Sequence, residues 1–276
     1  DICRAADSGP LADTLAPLTH NWRFGAQSPI AALASAVREA RVTDALTLLD
    51  DPASAQVSLQ AAQEDAALDA LLAEQITPVY AEVARLVREG AEAKAVFEKL
   101  GSLMVLCAHR TGRRGVTDLN QRVSAQLGVG GALSSGLPAY PGQPLMVTRN
   151  DAALGLFNGD IGVVMPDADS PGRLQAVFID TTGDEHAVSL GRLPEHETAY
   201  AMTVHKSQGS QARQVVLVLP TQLSPVLSRE LIYTGITRAE QSLAIWAAHE
   251  VLAGAIGRSA QRATGLADRL QGRSAS

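Results

Sequence analysis

The amino-acid sequence predicts an α/β protein with a parallel sheet, and three patterns support that class. Residues 103–108 form a short continuous apolar run, which is typical of a strand buried on both faces. A polar loop follows, and then an amphipathic stretch with Leu119, Val123 and Leu127, so strand, loop and helix come in the order of a parallel β-α-β unit. Between residues 145 and 190 the pattern changes to short β-rich stretches, which predict a separate antiparallel unit.

Length and composition restrict the class further. The chain has 276 residues, 46% hydrophobic and 19% charged, which is enough for a sizeable core in one large or two small domains. No apolar run approaches the length of about 18 residues that a membrane-spanning helix needs. The net charge of −6 argues against a generally basic nucleic-acid-coating protein. Only Cys3 and Cys107 are cysteines, which predicts a cytoplasmic protein without a disulfide framework, and the six histidines show no metal-ligand spacing.

Residues 1–144 are predicted to form the first part of the α/β domain. Residues 1–27 look irregular, and Ser28 before Pro29 is typical of a helix start. That helix would bury one face, made of Ile30, Leu33, Ala34 and Val37. Residues 50–100 are rich in Ala, Glu and Gln, and we expect a helical segment there that packs on the larger body without chemistry of its own. The residues at helical spacing are Leu68, Leu71, Leu72, Val79, Val83 and Leu86. Pro78 should break or kink it, and helices should stop at Gly90 and Gly101.

Residues 145–198 are predicted to form a small antiparallel barrel inserted in the α/β domain. Hairpin signals, of which Asn158-Gly159 is the strongest, separate strands expected at 145–148, 161–165, 174–179 and 186–190. Residues 199–276 then complete the α/β domain and end in a tail. We expect strands at 199–204, 215–219 and 243–247, a helix at 228–239, an Ala-rich helix after residue 250 and fraying at 271–276.

The segment 200–211 is the most informative part of the chain chemically. An apolar strand stops there, and a dense set of donors follows it around one glycine: Thr203, His205, Lys206, Ser207, Gln208 and Gly209. Ligands of open α/β sheets bind beyond the carboxyl ends of strands, and a glycine lets the backbone approach a phosphate closely. An ordinary polar loop is the alternative.

The segment 228–239 places an arginine near the inward-facing stripe of a predicted helix. Arg238 lies seven residues after Leu231 and four after Thr234. A guanidinium in that position is costly unless an anion meets it. Two sources remain open, a carboxylate of this chain or a phosphate supplied from outside.

Two further basic segments are weaker signals. Arg23 lies between Trp22 and Phe24, where cation–π packing alone would account for it. The stretch 108–115, followed by Asn120 and Arg122, is locally basic at the end of a buried strand, where a nucleic-acid backbone could lie or where solvent alone could meet it.

The sequence lacks the residues that usually hold Mg-ATP. No lysine follows a glycine, so there is no Gly-x-x-x-x-Gly-Lys-Ser/Thr phosphate loop. The run 177–180 imitates an apolar strand that ends in a magnesium-binding aspartate, but Asp180 lies between hairpin signals and is predicted to belong to the barrel.

Taken together, these segments resemble motifs of superfamily 1 DNA helicases. Residues 203–210 are similar to motif V and residues 233–239 to motif VI. Residues 18–24 resemble a Leu-x-x-Asn-Tyr-Arg motif of the second motor domain, with Trp22 in place of the tyrosine. The strongest similarity is to the exodeoxyribonuclease V alpha-subunit family, whose pattern Leu-Cys-Ala-x-Arg-x-Gly-x-x-Gly-Val-x-x-Leu-Asn is met by residues 106–120.

The resemblance implies a second RecA-like motor domain of the P-loop NTPase type, interrupted by an SH3-like β-barrel at 145–198. It implies that ATP and Mg²⁺ are bound mainly by a preceding N-terminal motor domain of the same protein. The chain begins with Asp1 rather than Met, so we expect a fragment or a processed product. Because the resemblance puts the ATP-holding domain outside this sequence, we expect the chain to be inactive alone. The implied activity is 5′-to-3′ translocation on single-stranded DNA, together with exodeoxyribonuclease V beta and gamma subunits, in double-strand-break repair.

The resemblance also assigns roles to individual residues. Arg238 would reach the γ-phosphate of ATP across an interdomain cleft, and Arg23 would be a second such arginine. Gly209 and Gln211 match nucleotide-side positions. The DNA-side candidates are Thr203, His205, Lys206, Ser207, Arg110 and Asn120.

This chain also departs from the family pattern. Gln211 stands where a glutamate is usual, Ala212 where an aromatic residue is usual, and Glu240-Gln241 replaces a basic pair. The alternative hypothesis is a non-catalytic adaptor that binds protein through the barrel and an acidic surface. Such an adaptor would show no salt-dependent binding of single strands.

Overall fold

The computed structural model describes residues 28–61, 64–128, 139–180 and 182–260. The helices are α1 (Pro29–Arg38), α2 (Val42–Asp50), α3 (Asp65–Leu71), α4 (Thr77–Arg88), α5 (Ala93–Leu100), α6 (Val116–Gln126), α7 (Arg229–Ile236) and α8 (His249–Gly257). The strands are β1 (Val57–Gln60), β2 (Leu103–Cys107), β3 (Pro144–Val147), β4 (Ile161–Pro166), β5 (Leu174–Ile179), β6 (Glu185–Ser189), β7 (His196–Thr198), β8 (Ala201–Thr203), β9 (Ala212–Val218) and β10 (Ala239–Trp246). The predicted irregular segment 1–27 and the predicted frayed end 271–276 lie outside the described residues.

A five-stranded parallel sheet forms the body of the molecule, in the order β1-β10-β9-β2-β8. One face packs against α1, α2, α7 and α8, and the other against the helices from α3 to α6. Strand β2 lies between β9 and β8, and all five of its residues are buried. The continuous apolar run that predicted it is what a strand covered on both faces requires, and the predicted parallel α/β class is confirmed.

The first helix begins as the sequence predicts. Ser28 has extended backbone angles, and its hydroxyl accepts a hydrogen bond from the Ile30 amide at 3.3 Å. Pro29 follows at the first helical position, where its missing N–H costs nothing. The four apolar residues predicted to face inward are all buried.

The segment 50–100 is not entirely helical. Residues Val57–Gln60 form β1, which pairs in parallel with β10 at one edge of the sheet. Pro78 does not end the helical run, because a π-helical turn, Leu72–Ile76, lies between α3 and α4 and brings Pro78 to the start of α4. Proline is tolerated in the first turn of an α-helix, where its missing N–H would have no partner within the helix. Gly90 does end α4, with a φ of +75°.

The inserted unit is an open antiparallel sheet, in the order β6-β5-β4-β3-β7. Strands β6 and β7 lie at opposite edges and do not pair with each other, so the predicted barrel is not closed. Its own core includes Val164 and Phe178, and the Phe178 ring lies against Gly162, where a β-carbon would come within 2.6 Å. The proposed domain limits at 144–145 and 198–199 stay a prediction.

The remaining elements follow the predicted order with changed lengths. The strand expected at 199–204 shortens to Ala201–Thr203, whereas those expected at 215–219 and 243–247 lengthen to Ala212–Val218 and Ala239–Trp246. The helix expected at 228–239 is confirmed as α7, and the Ser228 hydroxyl caps it by accepting from the Leu231 amide at 3.3 Å. No helix in the described part of the chain has the length and apolarity to cross a membrane.

Candidate functional site

The loop 204–211 leads from β8 to β9 and is folded tightly on itself. The amides of Lys206 and Ser207 donate to the Thr203 carbonyl at 3.0 and 3.3 Å, and the Ser210 amide donates to the Ser207 carbonyl at 3.1 Å. Gly209 has a φ of +92°, a conformation that other residues adopt only with strain. The loop therefore presents a defined backbone, as the glycine among polar residues predicts.

Arg238 joins this loop to the end of α7. Its side chain is buried, with 7% of the residue exposed. The guanidinium donates to the carbonyls of Ser207 and Ser210 at 3.4 and 3.2 Å. It also donates to the Thr234 carbonyl and the Thr237 hydroxyl at 3.1 and 3.2 Å. The sequence left a carboxylate or an external phosphate open, and the structure adds carbonyl oxygens, which neither alternative included.

The predicted DNA-side residues of the loop differ in accessibility. His205 is exposed, Thr203 and Lys206 are partly exposed, and Ser207 is fully buried. The Ser207 hydroxyl donates to the Val204 carbonyl at 2.8 Å, so it serves the folding of the loop. The Lys206 ammonium forms an ion pair with Glu197 at 2.9 Å.

A second loop, residues 108–115, follows β2 and leads into α6. Positive φ angles at Gly112 and Arg114 turn the chain sharply, and the amides of Val116 and Thr117 donate to the carbonyls of His109 and Arg110. Arg110 extends from this loop and pairs with the same Glu197 carboxylate, at 2.8 Å. Two cations predicted separately for the DNA side therefore lie together.

Glu197 is the residue of this site that the sequence did not identify. It lies on β7, a three-residue strand that was not predicted at all. The residues around Glu197 in the sequence do not indicate its ion pairs. Its partners Arg110 and Lys206 come from other loops and meet it only in the folded chain.

Asn120 has a structural position in α6. The residue is buried, its amide nitrogen donates to the Thr198 carbonyl at 2.8 Å, and its amide oxygen accepts from the Ala201 amide at 2.8 Å. The side chain thus holds the junction between β7 and β8. The predicted contact of Asn120 with DNA stays a prediction.

An ionic network lies behind the 108–115 loop. Arg122 binds Asp118 and Asp69 at 2.9 and 2.8 Å, and Arg113 binds Asp65. The hydrogen bond from Arg113 lowers the pKa of Asp65. Arg114 is the buried member of this region, and burial lowers its pKa.

Only some of the residues predicted to contact the nucleotide lie in the described part of the chain. Gly209 and Gln211 lie in the loop next to the Arg238 contacts, and Gln211 is exposed. Arg23 and the whole segment 18–24 lie outside the described residues. Asp180 directly follows β5, in the turn before β6, and its carboxylate accepts from the amides of Thr182 and Asp184 at 2.8 and 2.9 Å, in agreement with its assignment to the inserted unit.

The described residues do not provide a metal site of their own. Among residues 28–61, 64–128, 139–180 and 182–260, no group of three or more His, Cys, Asp or Glu side chains lies close enough to hold a metal ion. The sequence also has no Gly-x-x-x-x-Gly-Lys-Ser/Thr phosphate loop.

Comparisons with known proteins found several similarities. The family model of the UvrD-like helicase C-terminal domain matches residues 198–246, which include both the 204–211 loop and Arg238. RecBCD enzyme subunit RecD of Mycolicibacterium smegmatis is 39% identical over 264 residues, covering 93% of this chain and 44% of that protein. RecBCD enzyme subunit RecD of Haemophilus influenzae is 31% identical over 284 residues, covering 96% and 42%. The Pif1 helicase from Candida albicans aligns at 14% identity with a TM-score of 0.39, covering 71% of this chain and 58% of that one.

The family model and the homologues together indicate the class, a C-terminal region of the superfamily 1 helicase type. Over most of its own length the chain is homologous to RecD proteins, at 39% and 31% identity to the two relatives named above. The chain spans less than half the length of these curated relatives.

Proposed function

We propose that this chain is the second RecA-like motor domain of an ATP-dependent DNA helicase. The Walker A lysine and the magnesium-binding acid would belong to an N-terminal motor domain of the same protein, which would hold ATP and Mg²⁺. This chain would close over the nucleotide and grip single-stranded DNA during 5′-to-3′ unwinding. Homology to RecD supports a place beside the beta and gamma subunits of exodeoxyribonuclease V in double-strand-break repair.

The observation that carries the proposal is the convergence of two distant segments on one guanidinium. Arg238 follows α7, and its hydrogen bonds to the Ser207 and Ser210 carbonyls fix it against the loop that also carries the DNA-side candidates. A movement of that loop on binding DNA would therefore move Arg238, and a movement of Arg238 would move the loop. The arrangement suits a motor, in which nucleotide state and DNA grip must be linked.

The proposed chemical role of Arg238 is electrostatic. During transfer of the γ-phosphoryl group, negative charge spreads over its oxygens, and a positioned guanidinium stabilises that charge. The hydrogen bonds around Arg238 already restrict its side chain to few rotamers. Less side-chain entropy is therefore lost when the guanidinium contacts the transition state. Arg23 is proposed as a second arginine of this kind by resemblance alone.

The test is DNA-stimulated ATP turnover by the full-length protein and its Arg238→Ala variant. We expect the 276-residue chain alone to turn over negligible ATP. In the full-length protein, Arg238→Ala should lower turnover by about 10³-fold, in the range of other arginines that complete phosphoryl-transfer sites. Arg238→Lys should recover little of it, since an ammonium lacks the planar fork.

The matched control is Arg213→Ala, which removes an exposed arginine near the same loop that pairs with Glu98 at 2.9 Å. It should leave turnover within about twofold, as expected for an exposed ion pair. Thermal melting and binding of a fluorescent ATP analogue show whether each variant is folded and still binds nucleotide. A folded Arg238→Ala protein with near-normal turnover would contradict the proposed role.

A further inference from the structure

The carboxylate of Glu197 bridges the two cations predicted to contact DNA. Its Oε1 lies 2.9 Å from the Lys206 Nζ, and its Oε2 lies 2.8 Å from the Arg110 Nη2. The Glu197 and Lys206 side chains are 22% and 25% exposed, whereas that of Arg110 is 62% exposed. The pair with Lys206 is thus partly shielded from water, and the whole bridge opens to solvent on the Arg110 side.

The backbone that carries Glu197 is held firmly. Glu197 pairs with Met146 across the β3–β7 ladder. The next residue, Thr198, is bonded through its carbonyl to Asn120 and through its hydroxyl to Gln143, both within 2.9 Å. The carboxylate can therefore leave the bridge by rotation of its side chain, while β7 stays in place.

The bridge has the chemistry of a phosphate contact. A carboxylate shared between an ammonium and a guanidinium presents two oxygens to two cations, as the non-bridging oxygens of a phosphodiester would. We propose that Glu197 occupies the position of a nucleic-acid backbone phosphate and competes with it. Single-stranded DNA then has to displace this carboxylate before Arg110 and Lys206 can contact its backbone.

This inference rests on the proposed DNA-side role of Arg110 and Lys206. It adds a way in which the protein regulates DNA binding by these two residues. The DNA-free state has an internal anion in the site, which lowers affinity for DNA and ties the inserted sheet to the loops 108–115 and 204–211. When DNA binds to the two cations, the Glu197 carboxylate is released and the contact between the inserted sheet and the two loops is lost.

The test is the affinity of the full-length protein for a fluorescein-labelled 20-nucleotide oligo-dT, measured by anisotropy over a series of KCl concentrations. Glu197→Gln keeps the shape of the side chain and removes its charge. We expect it to bind about 3- to 10-fold tighter at low salt, because the competing anion is gone. The slope of log K against log salt should steepen by about 0.7, the value for one further phosphate neutralised on a single strand.

The matched control is Glu195→Gln, which makes the same charge change two residues away. Glu195 is exposed, and its carboxylate forms an ion pair with Arg149 at 3.6 Å. It should change affinity by less than about twofold. Lys206→Met serves as the positive control and should weaken binding and flatten the salt slope.

The outcomes separate this inference from the function on which it rests. If Lys206→Met weakens binding but Glu197→Gln behaves like Glu195→Gln, the DNA role stands and the competition is refuted. Weaker binding by Glu197→Gln also overturns it, because Glu197 would then organise the two cations. If none of these proteins binds at the lowest salt, although all melt like the unaltered chain, both proposals fall.

Discussion

At the scale of single residues, buried polar side chains in this protein connect segments that lie far apart in the sequence. Asn120 uses both ends of its amide to hold Thr198 and Ala201, about 80 positions further along the chain. Arg238 does the same for the 204–211 loop. In each case a side chain satisfies backbone groups at a junction where the ladder of a sheet is interrupted.

Asn120→Ala should destabilise the fold whether or not Asn120 contacts DNA. It leaves the Thr198 carbonyl and the Ala201 amide without their 2.8 Å partners in a buried position. We expect a loss of about 2–4 kcal/mol in the free energy of unfolding, measured by urea denaturation. Gln121→Ala, an exposed change on the same helix, should cost less than about 0.5 kcal/mol. Equal stability of the two variants would show that the amide does not hold the junction.

At the scale of whole elements, the sequence predicted what depends on local pattern and missed what depends on distant pairing. The run at β2 and the caps of α1 and α7 are local signals, and all three are confirmed. Strand β1 escaped prediction because its four residues become a strand only by pairing with β10, nearly 200 residues later. Closure of the inserted unit also depends on distant edges, β6 and β7, and no pattern of alternating residues could show that they stay apart.

The same reasoning applies to the site. The two helicase-like segments were recognised from their own residues, but the hydrogen bonds from Arg238 to the 204–211 loop were not predicted, because backbone carbonyls as partners leave no mark in the sequence. Glu197 was missed because the identity of an ion-pair partner is decided by which loops the fold brings together.

Helix α4 and the start of the inserted sheet approach each other so closely that only glycine fits. A β-carbon at Gly142 would lie 2.4 Å from the Ala84 Cα, and its φ is +88°. Gly172, in the β4–β5 turn, has a similar φ of +84° with open space around it. Gly172→Ala should therefore cost only the left-handed backbone strain, about 1–2 kcal/mol. Gly142→Ala should cost about 1–3 kcal/mol more, for the clash with α4. Urea midpoints of the two variants measure the difference, and equal midpoints would contradict the close packing.

At the scale of the whole molecule, part of the inserted sheet packs into a core of the parallel sheet. Val163 of the inserted sheet belongs to the same buried cluster as Tyr80 of α4 and Val105 and Trp246 of the parallel sheet. The Asn120 bonds and the Glu197 bridge cross the same boundary. We therefore expect the described parts of the chain to unfold as one cooperative unit.

Val164→Ala tests this cooperativity, because Val164 is fully buried in the separate core of the inserted sheet. Removing its two methyl groups should cost about 2 kcal/mol. If unfolding is cooperative, the lower free energy of unfolding affects every strand. The slowest amides of β2 and β9 should then exchange with solvent about 30-fold faster, as measured by native-state hydrogen exchange. If the inserted sheet opens by itself, only the amides of β3 to β7 accelerate and those of β2 and β9 keep their rates. That second result would mean that the inserted sheet can detach while the parallel sheet stays folded. The Glu197 bridge would then be a contact between two separable units, and DNA that displaces it could release the inserted sheet as a whole.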